Sequence, residues 1–173
     1  MELKNVLNFL QDLSRNNNKE WFHANKPVYQ AALADFTEFV DGLIRSVSSF
    51  DKDIASLTAK ECIFRIYRDI RFSPNKTPYK TNFGAAFMKG GKKSPYAAYY
   101  IHIEPGKSFS GGGIWMPPAD VLKAVRQEVY YHSDELIKII EKKKFKDTFG
   151  EMNGDKLQRP PVGFQRISHR SNS

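Results

Sequence analysis

One stretch decides the fold that we expect of this chain, and it reads Cys62-Ile63-Phe64-Arg65-Ile66-Tyr67-Arg68-Asp69-Ile70-Arg71-Phe72. Apolar and polar side chains alternate along most of it, which is typical of a β-strand with one buried face and one open face. We therefore predict a strand over residues 62–72. Because its apolar face needs a layer of helices to cover it, we expect this strand at the centre of an antiparallel sheet.

Two more strands are predicted on the C-terminal side of this stretch, over residues 96–103 and 108–115. The segment between them, Glu104-Pro105-Gly106-Lys107, has proline and glycine at the positions where a type II turn favours them. Gly111-Gly112-Gly113 lies within the second of these strands, where glycine usually marks a bulge or a close backbone approach.

Helices are predicted both before and after the sheet in the sequence. Apolar residues spaced three and four apart predict helices over residues 3–13 and 25–47, from Pro117-Pro118 onward and from Ser133 onward. We expect Lys142-Lys143-Lys144 at the C-terminus of the last helix, where cations interact favourably with the helix dipole. The expected class is α+β: an antiparallel sheet with N-terminal and C-terminal helices packed on it, in a single domain over residues 1–164.

Length and composition fit one globular domain without covalent cross-links. The chain has 173 residues, of which 40% are hydrophobic, enough to bury a core of its own. Cys62 is the only cysteine, so no intramolecular disulfide can form. The sequence has no apolar run typical of a signal peptide or a membrane span, and we predict a cytoplasmic protein with no membrane partner. Residues 165–173 have few apolar side chains and are predicted to form a disordered or truncated tail.

Positive charge is concentrated in the middle of the chain. The net charge is +8, and residues 60–93 contain nine Lys or Arg residues against only Glu61 and Asp69. A local excess of this kind favours an anionic partner, either a small molecule or a nucleic acid. A solvated basic loop is the structural alternative.

Five residues of this basic region are candidate anion-binding residues: Arg65, Arg68, Arg71, Lys76 and Tyr79. Guanidinium groups this close in sequence repel one another unless an anion lies between them, and each can hold a phosphate or carboxylate through two hydrogen bonds. Strict alternation places Arg68 on the apolar face, where a charge needs a partner, and we expect a carboxylate. We expect Arg65, Arg71 and Lys76 to converge on one anion.

Asp69, His102 and Glu104 are the candidate catalytic residues. They could act together as acids, bases or metal ligands if the strands bring them close. The histidines lack the spacing of metal ligands, so no metal site is predicted, and no motif identifies a cofactor. The structural alternative is that Asp69 and Arg68 belong to a buried ion network that only stabilises the fold.

The arginine-rich stretch also resembles the hallmark of a known family of bacterial proteins, the DUF2461 family. That hallmark is Arg-x-x-Arg-Asp-x-Arg-Phe followed by Asp or Asn, Lys and Tyr, and here it reads Arg65, Arg68, Asp69, Arg71, Phe72, Asn75, Lys76 and Tyr79. The resemblance extends upstream to Asn16-Asn17-Asn18-Lys19-Glu20-Trp21-Phe22 and downstream through Lys80-Thr81 to Gly111-Gly112-Gly113-Ile114-Trp115-Met116-Pro117. No activity is established for that family, so the resemblance implies candidate residues without naming a reaction.

Three functions fit these observations. The first is a domain, which could be an enzyme, that binds a small molecule carrying a phosphate or a carboxylate. The second is a nucleic-acid-binding module in which the same cations contact phosphates and tyrosines stack on bases. The third is a structural or interaction domain. The compact cluster of cations favours the first over the long basic surface that a nucleic acid needs, and the sequence predicts neither the reaction nor the oligomeric state.

Overall fold

The computed structural model describes residues 3–92, 94–150, 157–161 and 163–164. The chain divides into two compact units, Met1–Met116 and Pro117–Ser173. The single domain expected over residues 1–164 stays a prediction. The expected tail, residues 165–173, lies outside the described residues.

The first unit contains helices and the sheet, and the second contains helices. The helices of the first unit are α1 (Lys4–Arg15), α2 (Lys19–Ala24), α3 (Lys26–Val47) and α4 (Ala59–Cys62), with a 3-10 turn at Lys52–Ile54. Its strands are β1 (Phe83–Phe87), β2 (Ala98–Ile103) and β3 (Phe109–Gly113). The second unit contains α5 (Ala119–Tyr131), α6 (Ser133–Ile140) and α7 (Lys143–Phe149). The predicted α+β class with an antiparallel sheet is confirmed.

Strand β2 is the centre of the sheet, between β1 and β3. Gly84 of β1 lies opposite His102 of β2, and His102 lies opposite Phe109 of β3. Side chains alternate between the two faces of a strand. The face that includes the buried Phe83 packs on the helices, and Tyr100 and His102 lie on the opposite face.

The segment predicted to be the central strand is not a strand. Cys62 ends α4, which begins at a capping box formed by Thr58 and Glu61, and residues 63–82 are irregular apart from isolated bridges. Phe72, which the pattern assigned to the buried face, is 94% exposed. The prediction over residues 62–72 was wrong because a capped helical turn takes the first residue and the remaining backbone forms no continuous ladder.

Strand β1 carries no strand signal in the sequence. All five of its residues are buried, so polarity does not alternate along it. Strands β2 and β3 confirm the two strands predicted over residues 96–103 and 108–115. Between them the Lys107 N–H donates to the Glu104 carbonyl at 3.0 Å, and Gly106 has a φ of 73°, which are the features of the predicted type II turn.

The hydrophobic core lies between β1 and the two helices α1 and α3. The ring centroid of Phe83 lies 5.2 Å from that of Phe36 in α3 and 6.1 Å from that of Phe9 in α1. All three side chains are buried. Cys62 belongs to the same core, and burial raises the pKa of its thiol to about 11.

Asn17 fastens the loop after α1 to the irregular segment before β1. Its Nδ2 donates to the Tyr79 carbonyl at 3.0 Å, and the Tyr79 N–H donates to Asn17 Oδ1 at 3.1 Å. Tyr79 is buried, so little water can reach its backbone to replace these two bonds. The side-chain amide of Asn17 therefore satisfies the backbone N–H and C=O of Tyr79, as a neighbouring strand would.

We expect Asn17→Ala to lower the free energy of unfolding by about 2 kcal/mol, because it leaves the backbone N–H and C=O of Tyr79 without partners. Chemical denaturation followed by circular dichroism measures the loss. Asn16→Ala is the matched control, since the side chain of Asn16 is exposed and donates to the Asp12 carbonyl of the helix that it ends. The control should change stability by less than about 0.5 kcal/mol. Equal losses in the two variants would contradict this role of Asn17.

The lysine triplet Lys142-Lys143-Lys144 begins α7 and does not end α6. Helix α6 ends at Ile140, and Lys142 is the residue that precedes the first turn of α7. Lys143 Nζ lies 2.6 Å from a carboxylate oxygen of Asp147, one helical turn ahead. This pair offsets the unfavourable position of a cation at a helix N-terminus. The prediction that the triplet lies at the C-terminus of α6 was wrong, because α6 ends before it and a new helix begins within it.

Candidate anion site and polar network

The irregular segment between α4 and β1 folds back on itself and brings two cations together. The Lys80 N–H donates to the Ile66 carbonyl at 2.8 Å, and the Arg68 N–H donates to the Pro78 carbonyl at 2.9 Å. The Phe64 N–H donates to the Gly84 carbonyl at 2.9 Å, which ties the fold-back to the edge of β1. Lys80 thereby lies opposite Ile66, the residue that follows Arg65, and the charge of Arg65 is near enough to act on the Lys80 ammonium group.

Lys80 and Lys92 both lie against the ring of Phe64. Their Nζ atoms are 5.7 Å and 5.4 Å from the centroid of that ring, within the range of a cation–π interaction. Lys92 also donates to the Ile63 carbonyl at 2.6 Å. The side chains of Lys80 and Arg65 have no hydrogen bond and no ion pair to another of the described residues. Burial and, to a smaller extent, the charge of Arg65 lower the pKa of Lys80.

Arg71 is neutralised by Asp69. Its Nη2 lies 2.6 Å from Asp69 Oδ2 and its Nε donates to Asp69 Oδ1 at 2.9 Å, a two-point pair between exposed side chains. The hydrogen bonds from Arg71 lower the pKa of Asp69, and the more distant charge of Arg65 adds to this effect. The structure therefore couples Arg71 to a carboxylate two residues away and not to the Arg65–Lys80 pair.

Arg68 and Lys76 hold the loop that follows Asp69. Arg68 donates through Nη1 to Thr77 Oγ1 and through Nη2 to Ser73 Oγ at 3.3 Å, and Lys76 Nζ donates to the Ile70 carbonyl at 3.0 Å. The expected carboxylate partner of Arg68 is thus replaced, within the described part of the chain, by two hydroxyls of its own loop. The structure does not bring Arg71 and Lys76 to a partner that they share with Arg65.

Tyr79 lies in the core. Its ring is stacked on that of Phe22, with centroids 4.0 Å apart and planes 14° from parallel. Only 3% of the residue is exposed. Among the five candidate anion-binding residues, Arg65 is therefore the one whose charged group has no partner in the described residues.

His102 and Glu104 are brought together by strand β2, and Tyr100 joins them. The three residues occupy alternate positions, so their side chains lie on the same face of the strand. His102 Nε2 lies 3.2 Å from Glu104 Oε2, and His102 Nδ1 lies 3.1 Å from the Tyr100 hydroxyl. Thr81 Oγ1 donates to Glu104 Oε1 at 2.7 Å, and Asn82 Nδ2 lies 3.3 Å from His102 Nδ1. We call these five residues the polar network.

The proton on His102 is assigned by the network. Burial alone would raise the pKa of Glu104, but hydrogen bonds from Thr81 and His102 outweigh it and lower that pKa. An ionised Glu104 can only accept, so His102 Nε2 carries a hydrogen, and in the neutral imidazole Nδ1 is then the acceptor. Phe109 covers the imidazole, with ring centroids 4.8 Å apart and planes 18° from parallel. Asp69, the third candidate catalytic residue, bonds to Arg71 and not to either of the other two.

Gly84 makes room for the Tyr100 side chain. A Cβ at position 84 would lie 2.8 Å from the Tyr100 hydroxyl oxygen, closer than any carbon can approach without movement. The Tyr100 ring extends toward Phe64, with centroids 6.3 Å apart. Phe64 thus lies against both Tyr100 of the polar network and the ammonium group of Lys80.

Sequence reasoning missed the contributions of Tyr100, Thr81, Asn82 and Lys92. The polar character of positions 100, 102 and 104 at a spacing of two is the signal that could have identified Tyr100. Thr81 and Asn82 lie in the segment before β1, and Lys92 lies in the loop after it. Only the tertiary structure determines the neighbours of these three residues.

The described residues contain no group of three or more His, Cys, Asp or Glu side chains that could hold a metal ion. In the same part of the chain, no helix is both long enough and apolar enough to cross a membrane.

The first unit is thus an α+β domain with a polar network on its central strand. It also contains two cations, Arg65 and Lys80, whose side chains have no hydrogen-bond or ion-pair partner among the described residues. The chain belongs to the family described as conserved hypothetical protein (DUF2461), whose family model matches residues 5–172. This confirms the resemblance carried by the arginine-rich stretch. No curated protein and no solved structure matches the chain.

Proposed function

We propose that this protein binds a small molecule carrying a phosphate or a carboxylate, with Arg65 and Lys80 as the anion ligands and His102 beside them for proton transfer. The observation that carries the proposal is the unpaired state of these two neighbouring cations among the described residues. Lys80 is only partly exposed, and two like charges held together in such a place repel each other. A bound anion removes that repulsion and adds charge-assisted hydrogen bonds.

The arrangement of Arg65 and Lys80 supports a compact ligand. Backbone hydrogen bonds fix the fold-back, so only the side chains of the two residues have to be ordered when the ligand binds. Arg71, in contrast, already has a carboxylate partner in Asp69. We place this activity in the cytoplasm, in keeping with a chain whose only cysteine is a free thiol.

A nucleic-acid-binding function is the second candidate, favoured by the ring of Phe109, which is 54% exposed on the sheet. Single-stranded nucleic acids stack bases on such rings while nearby cations contact the phosphates. The two candidates differ in the dependence of affinity on salt. Each phosphate contact adds about 0.7 to the log–log slope on a single strand, so a slope above about 2 would favour the nucleic acid.

Calorimetric titration of the wild-type protein tests the proposal with three probes: inorganic phosphate, pyrophosphate and citrate. We expect saturable binding of at least one of them to a single site, and a stabilisation of about 2.7 kcal/mol when the probe is at a hundred times its dissociation constant. A single-stranded oligonucleotide is the comparison ligand. Absence of binding and of any thermal shift with all three small anions would overturn the proposal.

A further inference from the structure

We propose that Tyr100 is a nucleophile whose hydroxyl proton is accepted by His102, with Glu104 as the positioning residue that orients the imidazole. The inference rests on the proposed anion site, because that site would deliver the substrate. The substrate class is an anionic compound that carries an electrophilic acyl or phosphoryl group. The anion binds Arg65 and Lys80, and the electrophile lies on the Tyr100 side of Phe64.

The order of groups in the polar network supports this assignment. A carboxylate contacts one nitrogen of an imidazole, and the other nitrogen contacts a hydroxyl, which is the arrangement that activates hydroxyl nucleophiles in general. The distances are 3.2 Å from Glu104 Oε2 to His102 Nε2 and 3.1 Å from His102 Nδ1 to Tyr100 Oη. When Nδ1 is the acceptor, the Tyr100 hydroxyl donates to it, and the Asn82 amide at 3.3 Å is a second donor for the same nitrogen. His102 is the described residue with a hydrogen bond to the Tyr100 hydroxyl. The lone pairs of that oxygen are therefore free to attack.

The phenol needs a base at this position. Burial raises the pKa of Tyr100, so the phenolate is scarce near neutral pH and the proton has to leave as the new bond forms. His102 Nδ1 is the acceptor within hydrogen-bond distance. In the reaction, a bond forms from Tyr100 Oη to the carbon or phosphorus atom while the bond to the leaving group breaks. The proton passes from Oη to Nδ1 and then to the departing group, and water later hydrolyses the ester of Tyr100.

The test uses 4-(fluorosulfonyl)benzoate, an electrophile whose carboxylate matches the anion site, and its uncharged methyl ester. Attack by Tyr100 forms an oxygen–sulfur bond and releases fluoride, while the proton goes to His102. Intact mass and peptide sequencing by mass spectrometry identify the labelled residue. Tyr99 is the internal control, because it lies on the same strand and its hydroxyl donates to the carboxylate of Asp51, without an imidazole.

We expect the wild-type protein to be labelled at Tyr100 in preference to Tyr99. Tyr100→Phe should remove this label, and His102→Gln should slow it by about a hundredfold, the size of a typical general-base contribution. Glu104→Gln should slow it less and should change the ratio of the two His102 tautomers seen by nitrogen NMR. A purely structural carboxylate would leave the labelling rate of the folded protein unchanged.

The outcomes separate this inference from the proposed function. Equal labelling of Tyr100 by the acid and by the ester supports the nucleophile but overturns the anion site. Labelling of Tyr100 no faster than Tyr99, in a protein that binds phosphate, overturns the nucleophile alone. If His102→Gln fails to fold, Gly84→Ala takes its place, because its Cβ displaces the Tyr100 hydroxyl from His102. Wild-type labelling in folded Gly84→Ala would also overturn the inference.

Discussion

Replacing Phe83 with alanine is expected to lower the free energy of unfolding by about 4 kcal/mol. The Phe83 side chain is buried and its ring contacts those of Phe9 in α1 and Phe36 in α3, so it joins β1 to both helices of the core. Its loss leaves a cavity among rigid aromatic neighbours that cannot collapse to fill it. Urea denaturation followed by circular dichroism measures the change.

Phe72→Ala is the matched control for this experiment. The same side chain is removed, but Phe72 is 94% exposed and its ring lies 5.9 Å from the guanidinium carbon of Arg71. We expect a change of less than about 0.5 kcal/mol. The alternation of residues 62–72 makes the opposite prediction for Phe72, so a large loss in this variant would show that the segment is a buried strand after all.

Removing both unpaired cations is expected to weaken anion binding by about a thousandfold. Each charge-assisted hydrogen bond to a bound anion contributes roughly thirtyfold in affinity, so Arg65→Met and Lys80→Met should each cost that factor. Methionine keeps the apolar part of the side chain, which for Lys80 packs against Phe64. The affinity of each variant for the tightest of the three small anions is measured by calorimetry.

Arg45→Met is the control for the charge itself, since Arg45 is exposed and lies in the last turn of α3. It changes the net charge by the same amount as either single variant and should leave affinity within about twofold, as expected for a screened distant charge. A roughly thirtyfold loss in Arg71→Met, with Arg65→Met and Lys80→Met unaffected, would instead place the anion on the arginine that Asp69 neutralises.

Helices α1, α3, α5 and α6 and two of the strands could be predicted because their signals are local. The apolar spacing of α1 and α3 and the turn residues at Pro105 and Gly106 are set by neighbours in the sequence. Strand β1 could not be predicted, because burial on both faces removes the alternation by which a strand is recognised. The error over residues 62–72 has the opposite cause. Ile66 is buried between the exposed Arg65 and Tyr67, but this short alternation is accompanied only by isolated β-bridges and not by a continuous ladder of strand hydrogen bonds.

The candidate site was predictable only in part for a related reason. His102 and Glu104 share a face of one strand, so a spacing of two is enough to bring them together. The neighbours Arg65 and Lys80 meet only because the Lys80 N–H reaches the Ile66 carbonyl, and no local pattern encodes that bond. The ion pair of Arg71 with Asp69 could not be predicted either. The predicted strand implied that each cation of the segment is free to bind a ligand.

The buried thiol of Cys62 is an intrinsic probe of the rate at which the protein unfolds. With 1% of the residue exposed and the pKa of the thiol raised by burial, neither the accessible surface nor the thiolate needed for alkylation is available in the folded state. Iodoacetamide therefore reacts only when the core around α4 opens. Since the chain has one cysteine, each molecule gains one label, and the mass spectrum at successive times gives the opening rate directly. No probe has to be engineered to follow every variant described above.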